Sequence, residues 1–345
     1  LPSPIASVGP NIGSYDDNSV VDNNKYYYRV GVIKGESEVI GKEFSFYASD
    51  IPIIIVFGSD DGTVKKINTN GNEVWTFSGH TNAVNSVAVD SNGYVYSGSK
   101  DNTVKKIDPS GNEIWTFNGH SDFVAHVAVD LNGYVYSGSV NDILIKIDPD
   151  GNEIWKYTGN TSNFYGILGL SIDLEGNCYT ASYGGSIRKI DVNGNLIWSN
   201  YIGEGQGVAV DLKNKYVYSG NTNGSLHKHD PDTGDIIWTF TGHTDRVYDM
   251  IVDKDGYIYS ASWDTTVKKI SPNGVEITTG NWPFTSHTAR IVSITMDNEK
   301  NTYTASFDNT VKKIDSDGNE VWTFTGHTDN VQGVDFPYIF FISLL

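Results

Sequence analysis

Histidine is the residue type with the clearest chemical potential in this sequence, because an imidazole can ligate a metal ion or transfer a proton. Five histidines recur at intervals along the chain: His80, His120, His243, His287 and His327. Such spacing places them one unit apart in a repeated structure, so we expect a structural role. His227 and His229 share one face of a strand and could clip a metal ion, but no third ligand accompanies them. We therefore predict no metal site.

Two acidic segments resemble the start of a calcium-binding loop, DPDGNE at 148–153 and DSDGNE at 315–320. The equivalent segments elsewhere in the chain, PSGN and SPNG, lack the second carboxylate but keep the glycine. A tight turn needs Gly or Asn for positive φ and needs no ion. The pattern therefore predicts turns.

A lysine occupies one strand position in seven consecutive units: Lys66, Lys106, Lys146, Lys189, Lys228, Lys269 and Lys313. We expect cross-strand ion pairs with the glutamates of the following strand, Glu73, Glu113, Glu153 and Glu320. The alternative is a basic ring for an anionic ligand. The net charge of the chain argues against that alternative.

The 345 residues carry 24 Lys plus Arg against 42 Asp plus Glu, a net charge of -18, which disfavours nucleic acid as a partner. A single cysteine, Cys178, excludes an internal disulfide framework. No glycine-rich phosphate loop and no nucleophile, base and acid set stands out, so we expect no catalysis and no cofactor. The opening LPSPIASVGPN indicates a processed product or a fragment, and the apolar tail 337–345 is too short to span a membrane.

These residues sit in an internal repeat. EVWTFSGH at 73–80 recurs as EIWTFNGH at 113–120 and as VWTFTGH at 321–327. One unit contains four short runs rich in Val, Ile, Tyr and Thr, at 84–90, 94–99, 103–108 and 113–117, which we label strands a to d. The third run occurs seven times, about 40 residues apart. The chain is therefore predicted to be all-β, a seven-bladed β-propeller of four-stranded antiparallel blades.

The two ends of the repeat complement each other. The first unit begins with strand b at 53–59, and the chain after the last unit, at 331–336, aligns with strand a. We predict that 331–336 pairs with 53–58 and completes the first blade, which removes an unpaired sheet edge.

The repeat resembles that of WD-repeat propellers, through Gly-His between strands d and a, Ser in strand b and Asp in the turn between strands b and c. This resemblance implies a buried hydrogen-bonded set in three blades: His80, Ser97 and Asp101; His243, Ser260 and Asp264; His287, Thr304 and Asp308. The tryptophan that completes the set in that family is replaced here by isoleucine: Ile67, Ile107, Ile147, Ile190, Ile270 and Ile314. We expect its hydrogen bond to be missing.

The segment KIDPSGNEIWTF, with tryptophan in strand d, is also similar to the repeat of quinoprotein-type propellers. Catalysis in that family implies a calcium site and a vicinal disulfide in an eight-bladed ring. Seven units and one cysteine do not supply them, so a redox enzyme is not expected.

Residues 23–49 resemble the last two strands of a fibronectin type III domain, because YYYRVGV and EFSFYA alternate in polarity. The predicted organisation is thus a partial fibronectin-like segment at 1–49, the propeller at 50–336 and the apolar tail at 337–345. The resemblance implies an extracellular bacterial protein or a phage tail or virion protein.

The repeat breaks in the third, fourth and fifth units. The turn aspartate becomes Asn141, Gly184 and Asn223, and Gly-His becomes Gly159-Asn160 and Gly203-Glu204, so we expect these blades to lack the hydrogen-bonded set. The loop before the fourth blade is lengthened around Asn163, and the next is shortened around 204–206. All these changes fall on one rim, either by drift in tolerant loops or because the rim binds something.

That rim carries aromatic and basic residues of the types enriched at interaction hot spots. The candidate binding residues are Lys100, Phe164, Tyr165, Tyr183, Arg246, Trp263, Arg290 and Phe307. We predict a non-enzymatic binding or structural module of a phage virion or bacterial surface. Its partners would be other structural proteins of that assembly, or a host-surface protein or glycan that stacks on the aromatic rings. The alternatives are an intracellular assembly scaffold and, less favoured, a redox or carbohydrate-active enzyme.

Overall fold

The computed structural model describes the backbone of residues 25–34 and 37–47, and residues 54–68, 70–159 and 166–336 in full. Every regular element in these residues is a β-strand, and none of them forms a helix long and apolar enough to cross a membrane. The predicted all-β class is therefore confirmed for the described part of the chain.

The first two strands form a sheet of their own. β1 (Lys25–Lys34) and β2 (Ser37–Tyr47) pair antiparallel, with a register shift between Arg29 and Gly31. The fibronectin-like identity of this segment and the boundaries proposed for it stay predictions. The apolar tail 337–345 lies outside the described residues.

Residues 54–336 form seven antiparallel sheets, numbered here as blades 1 to 7 in chain order. Blade 1 contains β3 (Ile54–Ser59), β4 (Val64–Asn68) and β5 (Glu73–Phe77). Blade 2 contains β6 (Val84–Val89), β7 (Val95–Ser99), β8 (Val104–Ile107) and β9 (Glu113–Phe117). Blade 3 contains β10 (Val124–Val129), β11 (Val135–Ser139), β12 (Ile143–Ile147) and β13 (Glu153–Thr158).

Blade 4 contains β14 (Ile167–Ile172), β15 (Cys178–Ser182), β16 (Ser186–Ile190) and β17 (Leu196–Tyr201). Blade 5 contains β18 (Gly205–Val210), β19 (Val217–Asn221), β20 (Leu226–His229) and β21 (Ile236–Phe240). Blade 6 contains β22 (Val247–Val252), β23 (Ile258–Ser262) and β24 (Val267–Ile270). Blade 7 contains β25 (Ile291–Met296), β26 (Thr302–Ser306), β27 (Val311–Ile314) and β28 (Glu320–Phe324), and β29 (Val331–Asp335) completes blade 1.

The ring closes as the sequence predicts. β29 pairs antiparallel with β3, with Val331 opposite Ser59 and Asp335 opposite Val56. The Ser59 hydroxyl also donates to the Asn330 carbonyl at 2.9 Å. The first blade therefore takes its inner strand from the far end of the propeller, and the prediction of this pairing is confirmed.

Blade 6 departs from the four-stranded prediction, because it has three strands. Its outer position is taken by an irregular segment that touches β24 through two isolated bridges, Val267 to Phe284 and Ile270 to Glu276. The segment contains Pro283, which has no backbone N–H to donate to a ladder. Trp282 nevertheless occupies the place that strand d tryptophans hold in other blades.

The core lies between neighbouring blades. The second strand of every blade is buried along its whole length, and in blades 2 to 7 it carries a fully buried tyrosine: Tyr96, Tyr136, Tyr179, Tyr218, Tyr259 and Tyr303. Gly98 shows how closely the sheets approach, since a Cβ there would lie 2.6 Å from Cγ1 of Val124 in the next blade. Burial of both faces of each inner strand makes the ring one continuous apolar structure.

A repeated pair of hydrogen bonds, which we call the latch, joins each of blades 1 to 6 to the blade that follows it. In blade 1, the Trp75 Nε1–H and the Lys66 ammonium donate to the same acceptor, the Pro109 carbonyl of blade 2, at 3.0 and 2.9 Å. The same arrangement joins Trp115 and Lys106 to Pro149, Trp155 and Lys146 to Val192, Trp198 and Lys189 to Pro231, Trp238 and Lys228 to Pro272, and Trp282 and Lys269 to Ser316.

The predicted pairing of Lys66, Lys106, Lys146 and Lys313 with strand d glutamates is therefore wrong. The preceding lysine makes the ion pair instead, at 3.1 Å for Lys65 with Glu73 and 3.0 Å for Lys105 with Glu113. Alternate residues of a strand face opposite sides, and a register shift after Lys66 places Trp75, not Glu73, opposite it. The recurring lysine thus faces the next blade, and Lys106 lies 4.8 Å from the Tyr94 ring centroid.

Candidate functional site

The histidines nearest the rim belong to buried hydrogen-bonded sets. His80 lies 2.8 Å from Asp101 through Nδ1 and 2.8 Å from Ser97 through Nε2. His243 makes the same contacts with Asp264 and Ser260, and His287 makes them with Asp308 and Thr304.

The charge of this set is fixed by its hydrogen bonds. Burial opposes ionisation of Asp101, but hydrogen bonds from Thr103 and His80 outweigh it and lower the pKa of Asp101 to about 2. Burial lowers the pKa of His80 despite the adjacent carboxylate. Since both ring nitrogens are occupied beneath the turn, the imidazole holds the b–c turn to the preceding loop and has no free nitrogen for proton transfer.

Blade 3 keeps half of the set, which corrects the expectation that blades 3 to 5 have all lost it. His120 Nε2 lies 2.7 Å from the Ser137 hydroxyl, while His120 Nδ1 is buried without a hydrogen-bond partner. Asn141, at the aspartate position, donates instead to the Ser121 hydroxyl at 3.0 Å. The amide side chain therefore turns outward, away from the imidazole.

Blade 5 replaces the missing loop histidine with one from strand c. His229 Nε2 lies 2.8 Å from the Ser219 hydroxyl, and its Nδ1 lies 2.9 Å from the Gly234 carbonyl. His227 contacts Thr239 and Asn221. Both imidazoles are therefore engaged by structural partners, and the described residues contain no group of three or more metal-ligating side chains.

Blade 4 contains a buried ion pair that sequence reasoning missed. Two nitrogens of the Arg188 guanidinium, on β16, lie 2.7 and 3.1 Å from the two carboxylate oxygens of Asp142 in blade 3. Gly159 packs on this pair, because a Cβ there would lie 2.0 Å from Asp142 Oδ2. The sequence contains one indication of this pair. The fourth unit, which has lost its loop histidine, also has IRKI where other units have VKKI, so arginine replaces lysine there.

Two half-buried carboxylates, Asp249 and Asp335, link the innermost strands of adjacent blades. Asp249 accepts from the Ile294 amide and the Ser293 hydroxyl, and burial raises its pKa to about 6. Asp335, on the closing strand, accepts from the Val89 amide at 2.8 Å, and burial raises its pKa to about 7. Asp249 joins the first strands of blades 6 and 7, and Asp335 joins β29 of blade 1 to the first strand of blade 2. We therefore assign both side chains a structural role.

The rim brings four of the predicted residues together. The guanidinium carbons of Arg246 and Arg290 lie 4.5 and 4.0 Å from the ring centroid of Trp263. Arg246 also lies 5.9 Å from the ring centroid of Tyr183 in blade 4. Sequence reasoning missed Tyr248, whose ring stacks on Trp263 at 5.8 Å and 13°. We call these five residues the rim cluster.

Backbone hydrogen bonds fix the loops that carry the rim cluster. The Trp263 amide donates to the Arg246 carbonyl at 3.0 Å, and the Phe307 amide donates to the Arg290 carbonyl at 3.0 Å. Each b–c turn is thereby tied to the loop that precedes its own blade. The cluster is therefore built on anchored turns, as a preorganised binding surface requires.

Two further predicted rim residues, Lys100 and Phe307, are described by the structure and are not members of the cluster. Lys100 forms an ion pair with Asp60 of blade 1 at 3.3 Å, and Asp60 also accepts from Asn330 and Gln332. Phe307 is half-buried in the b–c turn of blade 7. Phe164 and Tyr165 lie outside the described residues.

Comparison with known proteins finds one matching family and a structural match to a solved β-propeller. Residues 60–173 and 183–335 match the protein family described as outer membrane protein assembly factor BamB. No curated protein matches the chain. The crystal structure of the WD40 β-propeller domain of Doa1 is 22% identical and superposes with a TM-score of 0.65, over 76% of this chain and 88% of that chain. At this identity the likeness shows the propeller fold alone.

Proposed function

The chain belongs to the family of outer membrane protein assembly factor BamB, and from this premise we propose that it is a non-enzymatic protein-interaction module of a surface-associated assembly. The family description names an outer membrane protein assembly factor. Carried over to this chain, it favours a role in holding other proteins together rather than in converting a substrate. A propeller suits this role because its rims are rigid and its loops vary freely.

The observation that carries the proposal is the rim cluster. Trp, Tyr and Arg are the residue types that dominate binding energy at protein interfaces, and here they converge from blades 4, 6 and 7. Trp263 is half-buried and already contacts Arg246, Arg290 and Tyr248, so little of its ring surface is left for a sugar. This coverage of the Trp263 ring favours a protein partner over a glycan, which the sequence analysis also gave as a candidate partner.

The described propeller gives little support to an enzyme. In blades 2, 6 and 7, both ring nitrogens of the set histidine are engaged by structural hydrogen bonds. A cleft between blades 2 and 3, lined by Asp90, Tyr96 and Lys106 among others, encloses about 160 Å³. Small-molecule sites usually enclose at least ~300 Å³.

The finer context is a bacterial surface or a phage virion, as a tail, fibre or decoration protein. It rests on the fibronectin-like segment before the propeller, and an intracellular scaffold is the alternative. Imaging of purified particles and of surface fractions separates these contexts. Occupancy of symmetry-related positions on a particle would establish the virion case, whereas recovery only inside the cell would overturn both surface contexts.

Site-specific photocrosslinking tests the interaction role directly. Benzoylphenylalanine at Phe307 places a crosslinker on the rim that carries the cluster, and the same residue at Leu131 places one in an exposed turn on the opposite rim. In the native assembly, we expect a discrete adduct with a partner protein from position 307 and none from position 131. Equal crosslinking from both positions, or none from 307, would contradict the proposal.

A further inference from the structure

Two arginines of the rim cluster have no carboxylate partner among the described residues. The third arginine of the propeller, Arg188, is paired with Asp142 at 2.7 Å, and surface lysines such as Lys65 are paired as well. Arg246 and Arg290 instead lie against the Trp263 ring. On a chain with a net charge of -18, this arrangement does not reflect a shortage of carboxylates.

The geometry concentrates positive charge at one place. Both guanidinium carbons lie near the centroid of one indole, so they are no farther apart than the sum of 4.5 and 4.0 Å. Stacking on an aromatic ring covers the flat face of a guanidinium and leaves its N–H donors at the edges. Arg246 is half-buried and Arg290 is exposed, so a ligand can reach these donors from solvent.

We propose that Arg246 and Arg290 form a carboxylate-binding site, which receives an aspartate or glutamate side chain from the partner protein. This deepens the proposed function and rests on it. A planar carboxylate matches the guanidinium fork in a bidentate manner, and it relieves the repulsion between the two cations. A nucleic acid would present phosphates too, but its long polyanionic backbone would extend well beyond the two arginines over a chain with a net charge of -18.

The surroundings of the pair suit a local contact of this kind. Tyr248 and Trp263 provide an aromatic floor, and backbone hydrogen bonds from Trp263 and Phe307 hold the two arginine loops in place. Tyr183 of blade 4 lies 5.9 Å from Arg246, which precedes blade 6, and the loop before the intervening blade 5 is shortened. An acidic side chain therefore meets prearranged guanidinium donors that are held against aromatic rings, and arginine and aromatic residues are the types enriched at interface hot spots.

A peptide titration tests the proposal without knowledge of the partner. The probes are fluorescein-labelled hexaglutamate and hexaglutamine, followed by fluorescence anisotropy at physiological ionic strength, where exposed charges beyond about 8 Å are screened. We expect the protein to bind hexaglutamate and to bind hexaglutamine at least about tenfold more weakly, because charge-assisted hydrogen bonds are lost with the amide.

The variant R246Q/R290Q should weaken hexaglutamate binding about tenfold or more. Its matched control is K213Q/K215Q, which removes the same charge from exposed lysines on the opposite rim and should leave binding within about twofold. R246K/R290K keeps the charge without the planar fork and should bind with intermediate affinity. If the arginine-to-glutamine protein unfolds, the lysine variant alone decides the comparison.

Two results would overturn the site: hexaglutamine binding as tightly as hexaglutamate, or R246Q/R290Q binding no more weakly than K213Q/K215Q. Failure here is distinguishable from failure of the interaction role. A crosslinked partner at position 307 that persists in R246Q/R290Q would keep the module and remove the carboxylate site. Absence of any crosslink would remove the module itself.

Discussion

Two groups of blades share the same strand arrangement but stabilise their turns differently. The first group is blades 2, 6 and 7, and the second is blades 3, 4 and 5. The first group uses the histidine, serine or threonine, and aspartate set in full. The second group uses half a set in blade 3, the Arg188 and Asp142 ion pair in blade 4 and a strand c histidine in blade 5. The tryptophan and lysine latch occurs in blades 2 and 6 of the first group and in all three blades of the second. The latch and the buried second strands therefore specify the ring, whereas the turn contacts are replaceable.

The rim cluster lies where the two groups meet. Tyr183 belongs to blade 4, while Arg246, Trp263 and Tyr248 belong to blade 6 and its preceding loop. Blade 5, between them, has the shortened loop and no histidine in it. A regular repeat would place an equivalent loop over this position. Departure from the repeat thus coincides, in the described part of the rim, with a cluster that has the chemistry of an interface.

The largest effect should come from breaking the substitute contact of blade 4. Asp142→Asn leaves the Arg188 guanidinium buried with a neutral partner, and the loss of one member of a buried pair costs about 3 kcal/mol of unfolding free energy. Asparagine is chosen because it tolerates the left-handed conformation of this residue, at φ 62°. Urea unfolding followed by tryptophan fluorescence measures the change.

The control for that variant lies in blade 3, which also contains Asp142. Asp150→Asn changes an exposed carboxylate in the c–d turn and should alter stability by no more than about 0.5 kcal/mol. Replacing Arg188 by methionine in the Asp142→Asn background should restore part of the loss, because the unpaired charge is removed. Equal stability of Asp142→Asn and Asp150→Asn would show that blade 4 does not depend on the ion pair.

A smaller effect is expected in a blade with the full set. Asp101→Asn removes a carboxylate whose folded pKa, about 2, lies below its ordinary value of 3.8. At neutral pH this costs about 2 kcal/mol, since each pKa unit corresponds to about 1.4 kcal/mol. The contribution is complete above about pH 4 and is lost as pH falls towards 2. The stability difference from the unmodified protein should therefore shrink over that interval, and a pH-independent difference would refute the assignment.

Much of the ring was predictable from sequence, because the features that fix it are local and repeated. Strand periodicity, turn glycines and the overhang at 331–336 all follow from residues read in order. The errors concern side-chain contacts that depend on register or on folding and not on the order of residues in the chain. The lysine pairing was wrong since a one-residue register shift after Lys66 decides which neighbour Glu73 meets. The Arg188 and Asp142 pair joins residues 46 positions apart, and Tyr248 reaches Trp263 only once the blade is folded.

The smallest effect should be a gain, from restoring the full set in blade 3. Asn141→Asp places a carboxylate where His120 Nδ1 has no partner, and we expect about 1 kcal/mol of stabilisation. The gain should be smaller than the loss from Asp101→Asn, because Ile143 stands where blade 2 supplies the Thr103 hydroxyl. The matched change Asn223→Asp in blade 5 has no loop histidine to meet and adds a charge near Glu204, so it should not stabilise. If both substitutions stabilise the protein equally, the added surface charge and not a hydrogen bond to the His120 imidazole causes the gain. The distinction between the two groups of blades would then not rest on that hydrogen bond.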